Sequence, residues 1–302
     1  MLPFKLIYHD GYDLHLGAHV FPSQKFRLIK ERLLTDGLAN PSDILAPESA
    51  EDEDVLRVHV PDYVRKLKTG TLSYEEIQRL EVPYSLELVD ACWLAAGGSV
   101  LAGQRAMRDG AASNIGGGFH HAYPDHGEGF CVLHDVAIAI RRLQLDGEIE
   151  RAIVVDTDVH QGNGTAAIFA KDESVFTLSI HQANNYPSFK PPSTMDINLP
   201  DGVEDDEYLE ILDAHLRKAF DEFSSQALFY VAGADPYCED QLGGLGLTID
   251  GLKKRDALVF DYARRNGTPV VTTLAGGYAR RLQDTVQIHA NTILALRESL
   301  VK

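Results

Sequence analysis

The chain has 302 residues, 44% of them hydrophobic, and carries 45 acidic against 28 basic side chains, a formal net charge of −17. That apolar share is enough to bury a large core and excludes a disordered chain, while the shortage of clustered Lys and Arg argues against a nucleic-acid partner. Three cysteines, Cys92, Cys131 and Cys238, lie far apart and in no metal-ligand spacing, so no disulfide framework is implied and reduced thiols in a cytoplasmic protein are expected.

Residues 1–10 have neither a basic region nor an apolar stretch leading to small residues, and no apolar run looks long enough to span a membrane. Neither export nor membrane insertion is expected. A short apolar run predicts a strand over 4–8, and helical periodicity follows over 23–35. The acidic run Glu51, Asp52, Glu53, Asp54 reads as a solvated loop. Beyond it the pattern predicts a long helix over 85–108, a strand over 112–115, a helix over 135–145 and strands over 152–155, 175–180 and 197–199. A helix over 205–223, a strand over 227–231, a helix over 250–265, a strand over 270–274 and a helix over 284–300 complete the chain. Alternation of this kind, without a linker or an internal repeat, predicts one α/β domain over 1–302, a mostly parallel sheet with helices on both faces.

Four of those strands run directly into reactive side chains, three of them through glycine: IGGGFHH at 115–121, DTDVH at 156–160, AGAD at 232–235 and AGGY at 275–278. In a parallel sheet the carboxyl ends of the strands line the ligand crevice, so four segments distant in sequence should meet. Asp158 and His160, two residues apart beyond a strand, can grip one ion, and Asp235 supplies a third ligand. Carboxylate and imidazole ligands suit zinc, with ferrous iron an alternative. Three protein ligands leave coordination positions open, which is the pattern of a catalytic site. Two carboxylates neutralise much of the ion's charge, so a separate base is expected.

His120 and His121 are the candidates, with Asp156 and Asn163 as candidate partners that orient their rings. An Asp beside His120 favours its cation, whereas an Asn beside His121 orients the ring with less electrostatic effect. His121 is therefore read as general base and then acid, and His120 as electrostatic support. Tyr278 is placed to donate a hydrogen bond to the oxyanion formed when water attacks an amide carbonyl.

With IGGGFHHA at 115–122, GFCVLHD at 129–135, DTDVHQGNGT at 156–165, GADPY at 233–237 and AGGY at 275–278, the chain resembles the zinc-dependent histone deacetylase family over nearly its whole length. DxDxHQGNGT and the N-terminal stretch YHDGYDLHLGAHVFPSQKFRLIKERL look most like the class IV branch and its bacterial relatives. The resemblance implies the arginase-deacetylase fold and zinc on Asp158, His160 and Asp235. It implies that the pair His120 and His121 serves catalysis and that Tyr278 polarises the scissile carbonyl. It further implies an acyl-lysine tunnel lined by Gly129 and Phe130, with Tyr186 or Phe189 as the opposite wall and with Leu242, Gly276 and Gly277 also touching substrate. A structural potassium ion is implied near Asp156, Asp158, His160, Ser179 and Ile180, mostly through main-chain oxygens, and a second near Phe169, Asp172 and Val175.

Two departures stand out. Asn163 occupies a position where many relatives carry Asp, and residues 186–194 match poorly. No clear counterpart is found for the rim acid that clamps the substrate backbone in some relatives. The expected substrate is an acylated lysine in protein or peptide, with an acylated polyamine as the alternative. A ligand-binding protein that has lost catalysis is disfavoured because no ligand, base or tyrosine is missing. A two-metal ureohydrolase on the related arginase fold is disfavoured by the tyrosine after AGG. Oligomeric state is not read from these features.

Overall fold

The computed structural model describes residues 1–301. In chain order the elements are β1 (Lys5–Ile7), α1 (Lys25–Thr35), β2 (Ile44–Leu45), α2 (Asp52–Val55), α3 (Pro61–Thr69), α4 (Tyr74–Leu80), α5 (Leu86–Asp109) and β3 (Ala111–Asn114). They continue with α6 (Asp135–Leu145), β4 (Ala152–Asp156), α7 (Asn163–Phe169), β5 (Val175–Gln182), β6 (Met195–Leu199), α8 (Asp205–Glu222), β7 (Ala227–Val231), α9 (Ile249–Arg265), β8 (Val270–Thr273) and α10 (Leu282–Val301). The eight strands form one sheet in the order β2-β1-β3-β8-β7-β4-β5-β6. Every pairing is parallel, so the expected "mostly parallel" sheet is wholly so.

Every residue of β3, β4, β5, β7 and β8 is buried, as a parallel sheet covered on both faces requires. The edge strands are shorter or more open. Two groups of helices cover the sheet: α5 packs on β1, β3 and β8 and against α6, while α1, α10, α9 and α8 pack in succession. Helix α5 is long and apolar enough to cross a membrane, contrary to the reading of the sequence, but most of it is buried in the core. Small residues let it lie close: a side chain at Gly98 would collide with the hydroxyl of Tyr12. Ser85 caps its first turn by accepting from Leu88 N.

Two expectations need correction. The acidic run 51–54 is not a solvated loop, because it leads into α2. There Asp54 is buried, taking Arg142 Nη1 at 3.0 Å, and Asp52 binds Lys68 and the indole of Trp93. The helices α2, α3, α4 and α7 went unforeseen because each is shorter than the window in which helical periodicity emerges.

A pair of buried histidines ties this scaffold to the loop after β3. His59 Nδ1 donates to Tyr123 O at 3.0 Å, and its Nε2 accepts from His134 N at 3.0 Å. His134 Nδ1 accepts from Ala137 N to cap α6, and its Nε2 donates to Thr165 Oγ1 at 2.9 Å. Each ring spends one nitrogen as an acceptor, so each must stay neutral. Burial pushes His59 down to about 4 and His134 down to about 3, from the usual 6.5. Stability is therefore full above pH 6.5. As the pH falls, the unfolded chain takes up protons that the fold refuses, down to about 4 for His59 and about 3 for His134. Each histidine should cost up to about 1.4 kcal/mol per pH unit in that window. Urea midpoints should fall clearly between pH 7 and pH 5, and equal midpoints would contradict the assignment.

Candidate active site

The strands β3, β8, β7 and β4 are consecutive neighbours in the sheet, so the four loops that follow them lie side by side along one edge. This adjacency brings His120 and His121, Tyr278, Asp235, and Asp158 with His160 to one place. Ligand atoms of Asp158, His160 and Asp235 all lie within 4.8 Å of one another, and all three residues are buried. His160 Nδ1 stands 2.9 Å from Asp158 Oδ1 and 3.4 Å from Asp235 Oδ2.

The backbone sets these side chains. Gly276 N donates to Asp158 Oδ2 at 3.0 Å, and Val159 N donates to Asp235 Oδ1 at 2.9 Å. Asp235 Oδ2 is buried and has no hydrogen-bond partner. An orphaned carboxylate oxygen beside an imidazole nitrogen and a second carboxylate is the donor set a divalent cation satisfies. Burial raises Asp235 to about 7, with Asp158 adding to the rise and His160 opposing it. Burial lowers His160, but Asp158 and Asp235 outweigh this and raise it to about 10. Both shifts describe a centre that favours positive charge between the carboxylates.

The two adjacent histidines have different environments. His120 Nδ1 donates to Asp156 Oδ2 at 2.6 Å, and its Nε2 lies 3.8 Å from Asp158 Oδ1. Burial alone lowers His120, yet Asp156 and Asp158 overcome it and raise it to about 9, favouring the cation. His121 Nδ1 lies 2.7 Å from Asn163 Oδ1. Burial, then the neighbouring His120 and His160, push it well below the usual histidine value, against the pull of Asn163. The two environments thus pull in opposite directions, His120 toward its cation and His121 toward its neutral form.

A cavity of about 210 Å³ leads from exposed Glu81 down to His121, His160 and Tyr278. Gly129, Phe130, Tyr186 and Leu242 form its walls. Gly129 and Phe130 are both left-handed, with φ of 54° and 69°, a conformation costly for phenylalanine. A side chain at Gly129 would meet the His121 ring at 2.7 Å and the Tyr186 ring at 2.9 Å. Gly276 lies deeper, beside Asp158, whereas the outer face of Gly277 turns toward Thr285 and Ala234. Phe189 is 73% exposed and absent from the cavity wall, leaving Tyr186 as the opposite wall. Ser179 pairs with Asp156 across β4 and β5, with Ile180 next in line, and Ser179 Oγ bonds His181 Nδ1 at 2.9 Å. Phe169, Asp172 and Val175 cluster at the other end of β5, where Arg141 pairs with Asp172 at 2.6 Å.

Four residues that the sequence did not flag join the site. Glu81, left-handed at φ 57° just after α4, brings a carboxyl to the mouth, while its carbonyl accepts from His19 Nε2. Glu128 accepts from Asn163 Nδ2, from Tyr186 Oη at 3.1 Å and from His126 Nε2 at 3.3 Å. Asp240 holds the AGGY loop by accepting from Tyr278 N at 2.7 Å. Lys25 is fully buried and donates to Ala275 O behind that loop; burial lowers it to about 8 despite nearby Asp235, Asp158 and Asp240.

Comparison with known proteins agrees with this geometry. The chain is 40% identical over 296 residues to an uncharacterized protein of Picosynechococcus, covering 98% of this chain and 99% of the other. It is 31% identical over 299 residues to histone deacetylase 2 of Arabidopsis thaliana, covering 93% and 77% respectively. The crystal structure of the HDA15 HD domain superposes with a TM-score of 0.82 at 24% identity, covering 98% of this chain and 89% of that one, and it shares the fold. The histone deacetylase domain model matches residues 19–293, a span that holds every one of the converging strand ends, and the chain accordingly belongs to the histone deacetylase family, a family of hydrolases.

Proposed function

We propose that the protein hydrolyses the amide of an Nε-acyl-lysine to the free amine and a carboxylate, with zinc bound by Asp158, His160 and Asp235. The observation that carries this reading is the cavity, which has an aromatic and aliphatic wall and an acid at its mouth and ends at His121, His160 and Tyr278. An extended acylated side chain fits such a shape. Zinc bound there would act as a Lewis acid toward the scissile carbonyl and the attacking water.

The side chains supply the rest. Neutral His121 takes the proton of the attacking water and returns it to the departing amine. Cationic His120, fixed by Asp156, offsets developing negative charge. Burial, then Asp158 and Asp235, push the Tyr278 hydroxyl well above the usual phenol range, which favours the protonated form that donates to the oxyanion. A potassium ion on main-chain oxygens near Asp156, Asp158, His160, Ser179 and Ile180 would stiffen the loop that carries two of the zinc ligands.

Glu81 supports a second reading, an acylated polyamine, because an acid at the mouth also suits a cationic tail. Turnover of acetyl-lysine peptides, longer acyl-lysine peptides and acetylpolyamines, each with and without a chelator, separates the two. We expect chelator-sensitive cleavage of the peptides. Rapid polyamine cleavage with the peptides untouched would replace the first reading by the second.

A further inference from the structure

Glu128 sits behind the cavity-wall residue Tyr186, between three donors. Asn163 Nδ2 and Tyr186 Oη both reach its Oε1, and His126 Nε2 reaches its Oε2. Burial raises this carboxyl, but the bonds from His126, Asn163 and Tyr186 outweigh it and hold it below its usual range. It is therefore an anion that accepts hydrogen bonds and donates none.

The consequence falls on Asn163. An amide shows oxygen on one side and NH₂ on the other, and a half-turn exchanges them with almost no change of shape. With a carboxylate on one side, NH₂ must face Glu128, so Oδ1 faces His121 Nδ1 at 2.7 Å. Gly164 N donates to the same Oδ1 at 3.1 Å and favours the same orientation. Oxygen can only accept there, so His121 carries its ring proton on Nδ1 and leaves Nε2 bare. A flipped amide would drive that proton to Nε2, and a protonated Nε2 cannot act as a base.

We propose that Glu128 is a positioning residue: through Asn163 it selects the Nδ1-protonated tautomer of His121 and keeps Nε2 free to take the proton of the attacking water. The proposal rests on the hydrolytic reading above for its role in turnover. It also accounts for how an amide serves at position 163. An aspartate there would need no such help, because its two oxygens are equivalent and either one holds the proton on Nδ1.

The decisive experiment is a double-mutant cycle on the metal-loaded protein, joined to ¹⁵N NMR of the His121 ring without substrate. Glu128→Ala should lower kcat by roughly tenfold to a hundredfold, with the loss falling on kcat rather than KM. Its ring signals should move from the Nδ1–H pattern toward Nε2–H. Glu128→Gln should restore both, since its Oε1 still accepts from Asn163 Nδ2. Should Glu128→Ala disturb folding, Glu128→Met keeps the volume, removes the acceptor and should show the same loss. In an Asn163→Asp background, removing Glu128 should carry no penalty. Equal losses in both backgrounds, or an unchanged His121 tautomer in Glu128→Ala, would overturn the proposal. If the unsubstituted chain cleaves no acyl-lysine, the hydrolytic reading falls, and the tautomer still decides whether Glu128 positions His121.

Discussion

Tyr278→Phe is expected to turn over substrate about a hundredfold to a thousandfold more slowly than the wild type while binding metal equally well. The substitution deletes one hydroxyl and leaves the packing of the ring in place. Phe21 and Phe130 meet that ring edge-on at centroid distances of 6.0 and 5.9 Å, and Asp240 still takes Tyr278 N from the backbone. No ligand of the proposed ion is touched. Nearly all the loss should therefore appear in kcat, because the donor is most needed where negative charge develops on the carbonyl oxygen. Steady-state kinetics combined with metal analysis checks this, and turnover near the wild-type rate would remove Tyr278 from the chemistry.

Asp235→Ala is expected to lose both metal and turnover, the latter to background. It removes one of the three proposed ligands and also strips the partner from Val159 N, now 2.9 Å from Asp235 Oδ1. The buried amide left behind should cost about 1–3 kcal/mol of stability. Asp235→Asn separates the two effects, since an amide oxygen can still accept from Val159 N but brings no charge to the centre. Both variants should fail to retain zinc through dialysis, whereas only the alanine variant should melt earlier for want of that hydrogen bond. Metal bound one per chain by Asp235→Ala would refute the ligand assignment.

The parts of this site that could be read from the sequence are those whose signals are local. Buried strands show as apolar runs, and Asp158, His160, Asp235 and Tyr278 each follow such a run by a few residues, with glycine ahead of Asp235 and Tyr278. The sheet then carried them together because β3, β8, β7 and β4 are neighbours. Residues that act across the fold gave no such sign. Lys25, at the start of α1, belongs to no motif, yet it is wholly buried under the Tyr278 loop. Glu128 carries no local signal, since its role comes from an amide 35 positions away. Tyr186 and Phe189 were equal candidates for the tunnel wall, because sequence gives the composition of a loop but not which side chain turns inward. The acidic run at 51–54 misled for a related reason: Asp54 is buried and bonded to an arginine 88 positions away.

In the proposed mechanism Asp158, His160 and Asp235 hold one divalent ion on which amide cleavage depends. Titrating metal-free protein with zinc, while following bound metal and acyl-lysine turnover in the same samples, tests it most directly. Activity should rise in step with occupancy and level off at one equivalent per chain. Full activity before zinc is added, or a plateau only at two equivalents, would contradict it.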